Sequence, residues 1–577
     1  MRATGQRRPA LVVLIGLALA ACRGDEPAPA VATPAPDLGA RLGVAAESNV
    51  RAADYVGPAA CGECHPDKLA SWRRGSHAAM NQLASPTSVL APIGQARAYA
   101  GGEVGLERVG DHLVVRLRRG AVDRRFVLTR TIGWRYLQEY VGRELPAGAT
   151  DPARATGDEV RLPFGYWPRA GGWLPQPYFD SWFGREFDER GQLAFDPYQA
   201  PTSPWAARCP WCHNTYPFEL RLARTSAAGA IIGRGPEVDV VDLAPTTLTQ
   251  TTQGDHVLPT ERLVTVGISC ESCHLGGRHH AETEQPPSFV PRGPALAQRP
   301  GSSADLQPDG HGGRTRPGVL MATCAGCHST PSPTYPDGAA ARNSSEALAM
   351  QAGACASAIS CTTCHDPHQR GPDAPAPPDP RHDAACVRCH ATLADPATAA
   401  AHRRHDGVDG VGCLDCHLPP IVQGVSAVVR SHRISSPADP RMLGGDVPGA
   451  CNLCHLDRSL RWTLEELRAG WDADVAAAWP TDPTERAALD EPVGERWLRS
   501  RHAMTRLVAA AAWARQHPGP ATARRLLDVL DDPVANTRVW IWFAIGDAVP
   551  GATGYQPAAA PAERAAQLAA LRRKWAP

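Results

Sequence analysis

Cys61-Gly62-Glu63-Cys64-His65 is the first of eight occurrences of one pattern, Cys-x-x-Cys-His, in a chain of 577 residues, and the fold is read outward from it. The other seven are Cys209, Cys212 and His213; Cys270, Cys273 and His274; Cys324, Cys327 and His328; Cys361, Cys364 and His365; Cys386, Cys389 and His390; Cys413, Cys416 and His417; and Cys451, Cys454 and His455. Together they take sixteen of the 18 cysteines. Two cysteines three apart on a helical turn share a face and reach the two vinyl groups of a porphyrin, while the adjacent His swings beneath the ring to the iron. This is the signature of covalent haem c attachment. Paired CxxC motifs also bind zinc. With 21 His in 577 residues, however, a given position is His roughly one time in 27, so chance does not supply eight in register. The expectation is eight covalently bound haem c groups, with the eight motif histidines as proximal iron ligands.

The compartment agrees. Arg2, Arg7 and Arg8 precede an apolar run over residues 11–21, which is too short to span a bilayer and reads as a secretory signal peptide, residues 1–21. Leu19-Ala20-Ala21-Cys22 resembles the bacterial lipobox, which makes Cys22 the lipidated mature N-terminus. Residues 22–54 then form a flexible tether rich in Pro and Ala. No other stretch is long and apolar enough to cross a membrane, so membrane association is expected from the lipid anchor only. Arg23 stands where an inner-membrane retention signal commonly has Asp, which favours an outer-membrane lipoprotein on the periplasmic side. Charge is balanced, 59 basic against 59 acidic residues with no long one-sign run, so nucleic-acid binding has no support.

Eight haems between residues 61 and 455 leave too little chain to wrap each in a domain of its own, so the porphyrins must form much of the core. The fold expected is mainly α with extensive irregular loops. It comprises an octahaem core over residues 55–460, a small β insertion at about 95–200, and a C-terminal α-helical segment over 461–577 that resembles a HEAT repeat around Leu526, Leu527 and Leu530. The insertion contains a hairpin signal, residues 113–117 and 125–131 about a turn at Gly120. The aromatic series Trp134, Tyr136, Tyr140, Tyr166, Trp167, Trp173, Tyr178 and Trp182 follows, and is expected to pack over a haem.

Tyr55-Val56-Gly57 before the first motif, Ser76-His77-Ala78-Ala79-Met80 after it, the run CTTCHDPH from Cys361 to His368, and CLDCHLP followed by Arg430-Ser431-His432 resemble the multihaem cytochromes related to the tetrahaem electron carrier of nitrifying bacteria. The likeness runs from Tyr55 to about Trp471, with Leu418 where those sequences usually have Met. It implies His77, His280, His368, His405 and His432 as distal iron ligands; His256, His311, His382 and His402 are further candidates. His279 reads as the neighbour of a ligand and His112, His502 and His517 as structural, while Cys355 has no intramolecular disulfide partner and is read as a buried thiol, with an intermolecular or ligand sulfur as the alternative.

Two functions fit. The first is electron transfer along closely packed haems to redox partner proteins, with no catalytic residue. The alternative is an oxidoreductase of the hydroxylamine, nitrite or tetrathionate kind with one open haem. Spare histidines sufficient to saturate every iron, and the lack of a CxxCK motif, favour the first.

Overall fold

The computed structural model describes residues 48–175, 196–199, 203–207, 209–220, 238–240, 258, 260–289, 291–292, 296–298, 307–308, 314–315, 317–330, 332–368, 380–405, 408 and 410–576. The chain divides into two compact units, Met1–Pro36 and Asp37–Pro577, and all the described residues belong to the second. Cys22, His256 and His311 lie outside them.

The expectation of a mainly α chain with a small β insertion is overturned by a nine-stranded antiparallel sheet. Its strands are β1 (Asn81–Leu83), β2 (Gln95–Tyr99), β3 (Gly102–Val109), β4 (His112–Arg119), β5 (Val122–Ile132), β6 (Gln138–Glu144), β7 (Val160–Trp167), β8 (Gly172–Pro175) and β9 (Ser203–Pro204). They run in order from β2 to β8, with β1 beside β5 and β9 beside β7. In β3 and β4 the apolar residues alternate, and the register sets Leu106 opposite Val115 and Val104 opposite Leu117, all buried. Tight turns link β3 to β4 and β4 to β5 at Gly110 and Gly120, each with φ of 59°, a conformation that glycine reaches without strain.

Glycine also explains why most of this sheet escaped the sequence reading. Gly142 in β6 and Gly165 in β7 look like strand breakers. Yet a Cβ at Gly142 would come 2.7 Å from the Val127 carbonyl oxygen, and one at Gly165 would come 2.6 Å from Leu137 Cδ1. Each glycine marks a close approach inside the sheet. Of the aromatic series, Tyr136 lines the cavity that holds seven of the motifs, but Tyr140, Tyr166 and Trp173 depart from the expectation of packing over a haem. Tyr140, Phe164 and Tyr166 pack edge-on around Trp173 at centroid distances of 5.6, 5.2 and 5.6 Å, which makes them the core of the sheet. Tyr178 and Trp182 lie outside the described residues.

Two sequestered ion pairs tie these strands together, Arg161 of β7 with Glu139 of β6 at 2.7 Å, and Arg130 of β5 with Glu159, just before β7, at 3.0 Å. The helices Ala503–Gln516, Pro520–Leu527, Ala535–Ala548 and Pro561–Lys574 close the chain. They do not stand apart from the rest. Trp540 meets Trp167 of β7 edge-on at 5.4 Å, and the side-chain amides of Asn536 and Gln423 exchange hydrogen bonds of 2.8 and 3.1 Å. One buried apolar cluster therefore continues from the sheet (Phe126, Phe164, Trp167) into the tail (Leu507, Leu526, Ile541). Among the described residues no helix is long and apolar enough to cross a membrane.

Candidate haem-binding cavity

Each Cys-x-x-Cys-His motif folds as one helical turn. The first is the end of the helix Gly57–Cys64, and the backbone N–H of His65 donates to the Cys61 carbonyl at 2.9 Å. The same bond from the His N–H to the first Cys recurs in the second, third, fourth, fifth, sixth and eighth motifs at 2.9 to 3.1 Å, and the seventh is the helix Cys413–His417. This turn sets both sulfurs on one side with the imidazole beside them. None of the described cysteines is in a disulfide, and Cys355 is a half-buried free thiol. Among the described residues no three His, Cys, Asp or Glu side chains converge as a zinc site requires.

Seven motifs line one continuous cavity of about 3980 Å³, several times the ~300–1,000 Å³ of an ordinary small-molecule site. Its walls also carry His77, His280, His368, His382, His402, His405 and His432, with Trp72 and Trp462. The second motif, Cys209 to His213, does not contribute to this lining. Its Cys209 packs instead against the cluster of Trp205 with the sheet residues Ile132 and Val141, and its Trp211 against Tyr216 and Leu258.

Within the cavity five motif histidines each face a histidine from elsewhere in the chain. His65 and His280 are 6.0 Å apart between ring centroids, His274 and His368 6.0 Å, His365 and His432 6.2 Å, His417 and His402 6.2 Å, and His455 and His405 6.2 Å. Two imidazoles on opposite sides of one metal, each nitrogen at about 2.0 Å and each ring centre roughly 1.1 Å further out, have centroids roughly 6.2 Å apart. The spacing fits bis-histidine haem. His402 and His405, at the end of the helix Pro396–Arg403, serve two different proximal histidines. His382 also lies 6.2 Å from His365, but its Nε2 is within 3.2 Å of the Cys364 carbonyl, on the motif's own side. His432 is therefore the partner that faces His365. Among the described residues no second imidazole pairs with His213, His328 or His390.

The thiols give the order of the array. Cys61 lies beside Cys270, Cys324 beside Cys361, and Cys386 beside Cys413. Cys273 lies within electrostatic reach of Cys324, Cys364 of Cys386, and Cys416 of Cys451. Motifs one, three, four, five, six, seven and eight thus follow one another in space. The second stands to the side, with His213 within electrostatic reach of His328.

Burial pushes His213 and His274 down to about 4, which keeps them neutral, the form that ligates iron. The Nδ1 of His417 sits 2.9 Å from the Ser435 carbonyl. His328 instead has its Nδ1 3.0 Å from the Glu346 carboxylate, which lifts the imidazole to about 9. Burial raises the Glu346 carboxyl, but the bond and charge of His328 outweigh it and bring it to about 2, so the group is ionised.

No family model and no curated protein matches this chain. Among solved structures, the outer cell wall cytochrome OcwA aligns over 90% of this chain and 100% of its own at 14% identity, with a TM-score of 0.36. At those values the likeness carries no argument about fold or function.

Proposed function

We propose that this chain is an octahaem c-type cytochrome that passes electrons along closely packed haems in the bacterial cell envelope. The five facing histidine pairs carry the reading. A helical turn that offers two thiols and one imidazole, met across about 6 Å by an imidazole from a distant segment, is a donor set with little use other than a six-coordinate porphyrin iron. The continuous cavity supports a shared array over isolated sites, and the succession of thiols supports a path from the first motif to the eighth with a branch at the second.

Haem, when bound, supplies reversible one-electron chemistry at iron. The chain's residues do the rest. The cysteine pairs fix each ring to the backbone. At the five motifs with a facing pair, the proximal and distal histidines would saturate the iron, so that electron exchange there would need little ligand rearrangement and small anions would be excluded. Apolar walls, and the buried, neutral imidazoles of His213 and His274, hold parts of the array away from water. Cys22 as a lipidated N-terminus would tether this assembly to the outer membrane, within reach of redox partner proteins.

The test is a haem assay on denatured protein together with the spin states of the oxidised holoprotein. Eight covalent haems with dominant low-spin signals are expected. Fewer than eight after full maturation would refute the count. A substantial high-spin signal that shifts with nitrite or hydroxylamine, with steady turnover, would establish the alternative, an oxidoreductase with an open haem.

A further inference from the structure

The proximal histidines are alike in their turn and unlike in what their second ring nitrogen meets. His417 Nδ1 faces the backbone carbonyl of Ser435. In His213 and His274, Nδ1 is buried with no hydrogen-bond partner among the described residues. Among the described residues His328 is the motif histidine whose Nδ1 meets a carboxylate, Glu346 Oε2 at 3.0 Å.

That carboxylate is held from several directions. Its other oxygen, Oε1, accepts the Ser344 backbone N–H at 2.8 Å. Glu346 opens the helix Glu346–Gln351, and the next residue, Ala347, donates its N–H to the carbonyl of His328 itself at 3.0 Å. The helix start and the motif are thus tied backbone to backbone, and the acid has little freedom to leave the imidazole. The neighbouring wall, Ala347 and Met350 with Met321 behind them, is apolar and buried, while the His328 ring itself stands open to the cavity.

A hydrogen bond to a charged acceptor is roughly twice as strong as one to a neutral carbonyl. Drawing the Nδ1–H toward a carboxylate gives the ring imidazolate character, so its other nitrogen donates more electron density to a metal and favours the oxidised state. We propose that Glu346, acting through His328, is a positioning residue that makes the fourth haem the hardest of the array to reduce. The inference rests on the reading that the fourth motif holds haem. Its place gives the effect a purpose: Cys324 lies beside Cys361 of the fifth motif and within electrostatic reach of Cys273 of the third. An uphill step there separates the first and third motifs from the fifth to eighth, so that each part can fill with electrons before exchange between them.

The experiment is a spectroelectrochemical titration of the full-length holoprotein and its Glu346→Gln variant, with covalent haem counted in both. The amide keeps an oxygen for Ser344 and removes the charge. One reduction step should move to more positive potential, by at least a tenfold change in that iron's oxidised-to-reduced ratio, ~59 mV for one electron. The remaining steps should overlay the parent. If both proteins carry eight haems and every step coincides, the proposal is overturned; fewer than eight haems in the parent would instead defeat the haem reading. Should the variant fail to accumulate, electron paramagnetic resonance of the unmodified ferric protein decides. One haem must show a stronger axial field than the others, and a set with no such member overturns the proposal.

Discussion

Replacing Cys361 and Cys364 by Ala removes covalent capture at the centre of the array, and the cost can be worked from the cavity. Shared among the seven motifs that line it, 3980 Å³ is about 570 Å³ for each ring. At ~24 cal/mol per Å³, an unfilled share of that size costs about 14 kcal/mol if the walls stay in place. Even if collapse of the walls recovers half, about 7 kcal/mol remains, against a total stability of ~5–15 kcal/mol for an ordinary domain. The double variant should therefore either fail to accumulate or melt far below the parent. Intact mass under denaturing conditions separates seven covalent haems from eight, and melting is followed by circular dichroism. A variant that carries seven haems in total and melts with the parent would refute the argument that the rings serve as core.

His280→Ala should leave the covalent haem count unchanged, because Cys61, Cys64 and His65 remain, and convert one haem to a high-spin or water-ligated form; an unaltered spectrum would show that His280 is not the ligand facing His65. Glu159→Ala removes the carboxylate that pairs with the largely buried Arg130 guanidinium and should cost ~3–5 kcal/mol, read as a drop in the denaturant midpoint, whereas a loss below ~1 kcal/mol would mean the pair is effectively solvated. Cys22→Ala should release haem-loaded protein into the periplasm, provided the signal is still processed. Membrane association that survives in the processed variant would exclude the lipid anchor.

The chemistry of this chain was more legible than its architecture. A CxxCH turn is local: its thiols and imidazole are brought together by one backbone hydrogen bond, so five residues suffice to read it. Distal histidines are set by contacts between remote segments, and only a resemblance pointed to His280, His368, His405 and His432. His402, which stacks on His417 with ring planes 3° apart, carried no comparable signal. The sheet was harder still. Its alternation shows in Leu113 to Leu117, but strands such as β6 and β7 conceal theirs behind Gly142, Gly165 and buried Arg–Glu pairs, whose fitness depends on neighbours that sequence does not place.

With iron in place, the facing histidines have a topological meaning as well. Each pair joins a proximal histidine, fastened to its ring by thioethers, to a residue far along the chain, and so closes a loop as a disulfide would. In chain-entropy terms the short loop from His402 to His417 is worth about 3 kcal/mol and the long one from His65 to His280 about 5 kcal/mol. The loops overlap: His274 falls inside the loop from His65 to His280 and reaches forward to His368, whose span encloses His365, which reaches on to His432. A chain whose described cysteines form no disulfide thus acquires an interlocked set of cross-links from its cofactors, and these would open under a competing iron ligand such as excess imidazole, without any reductant.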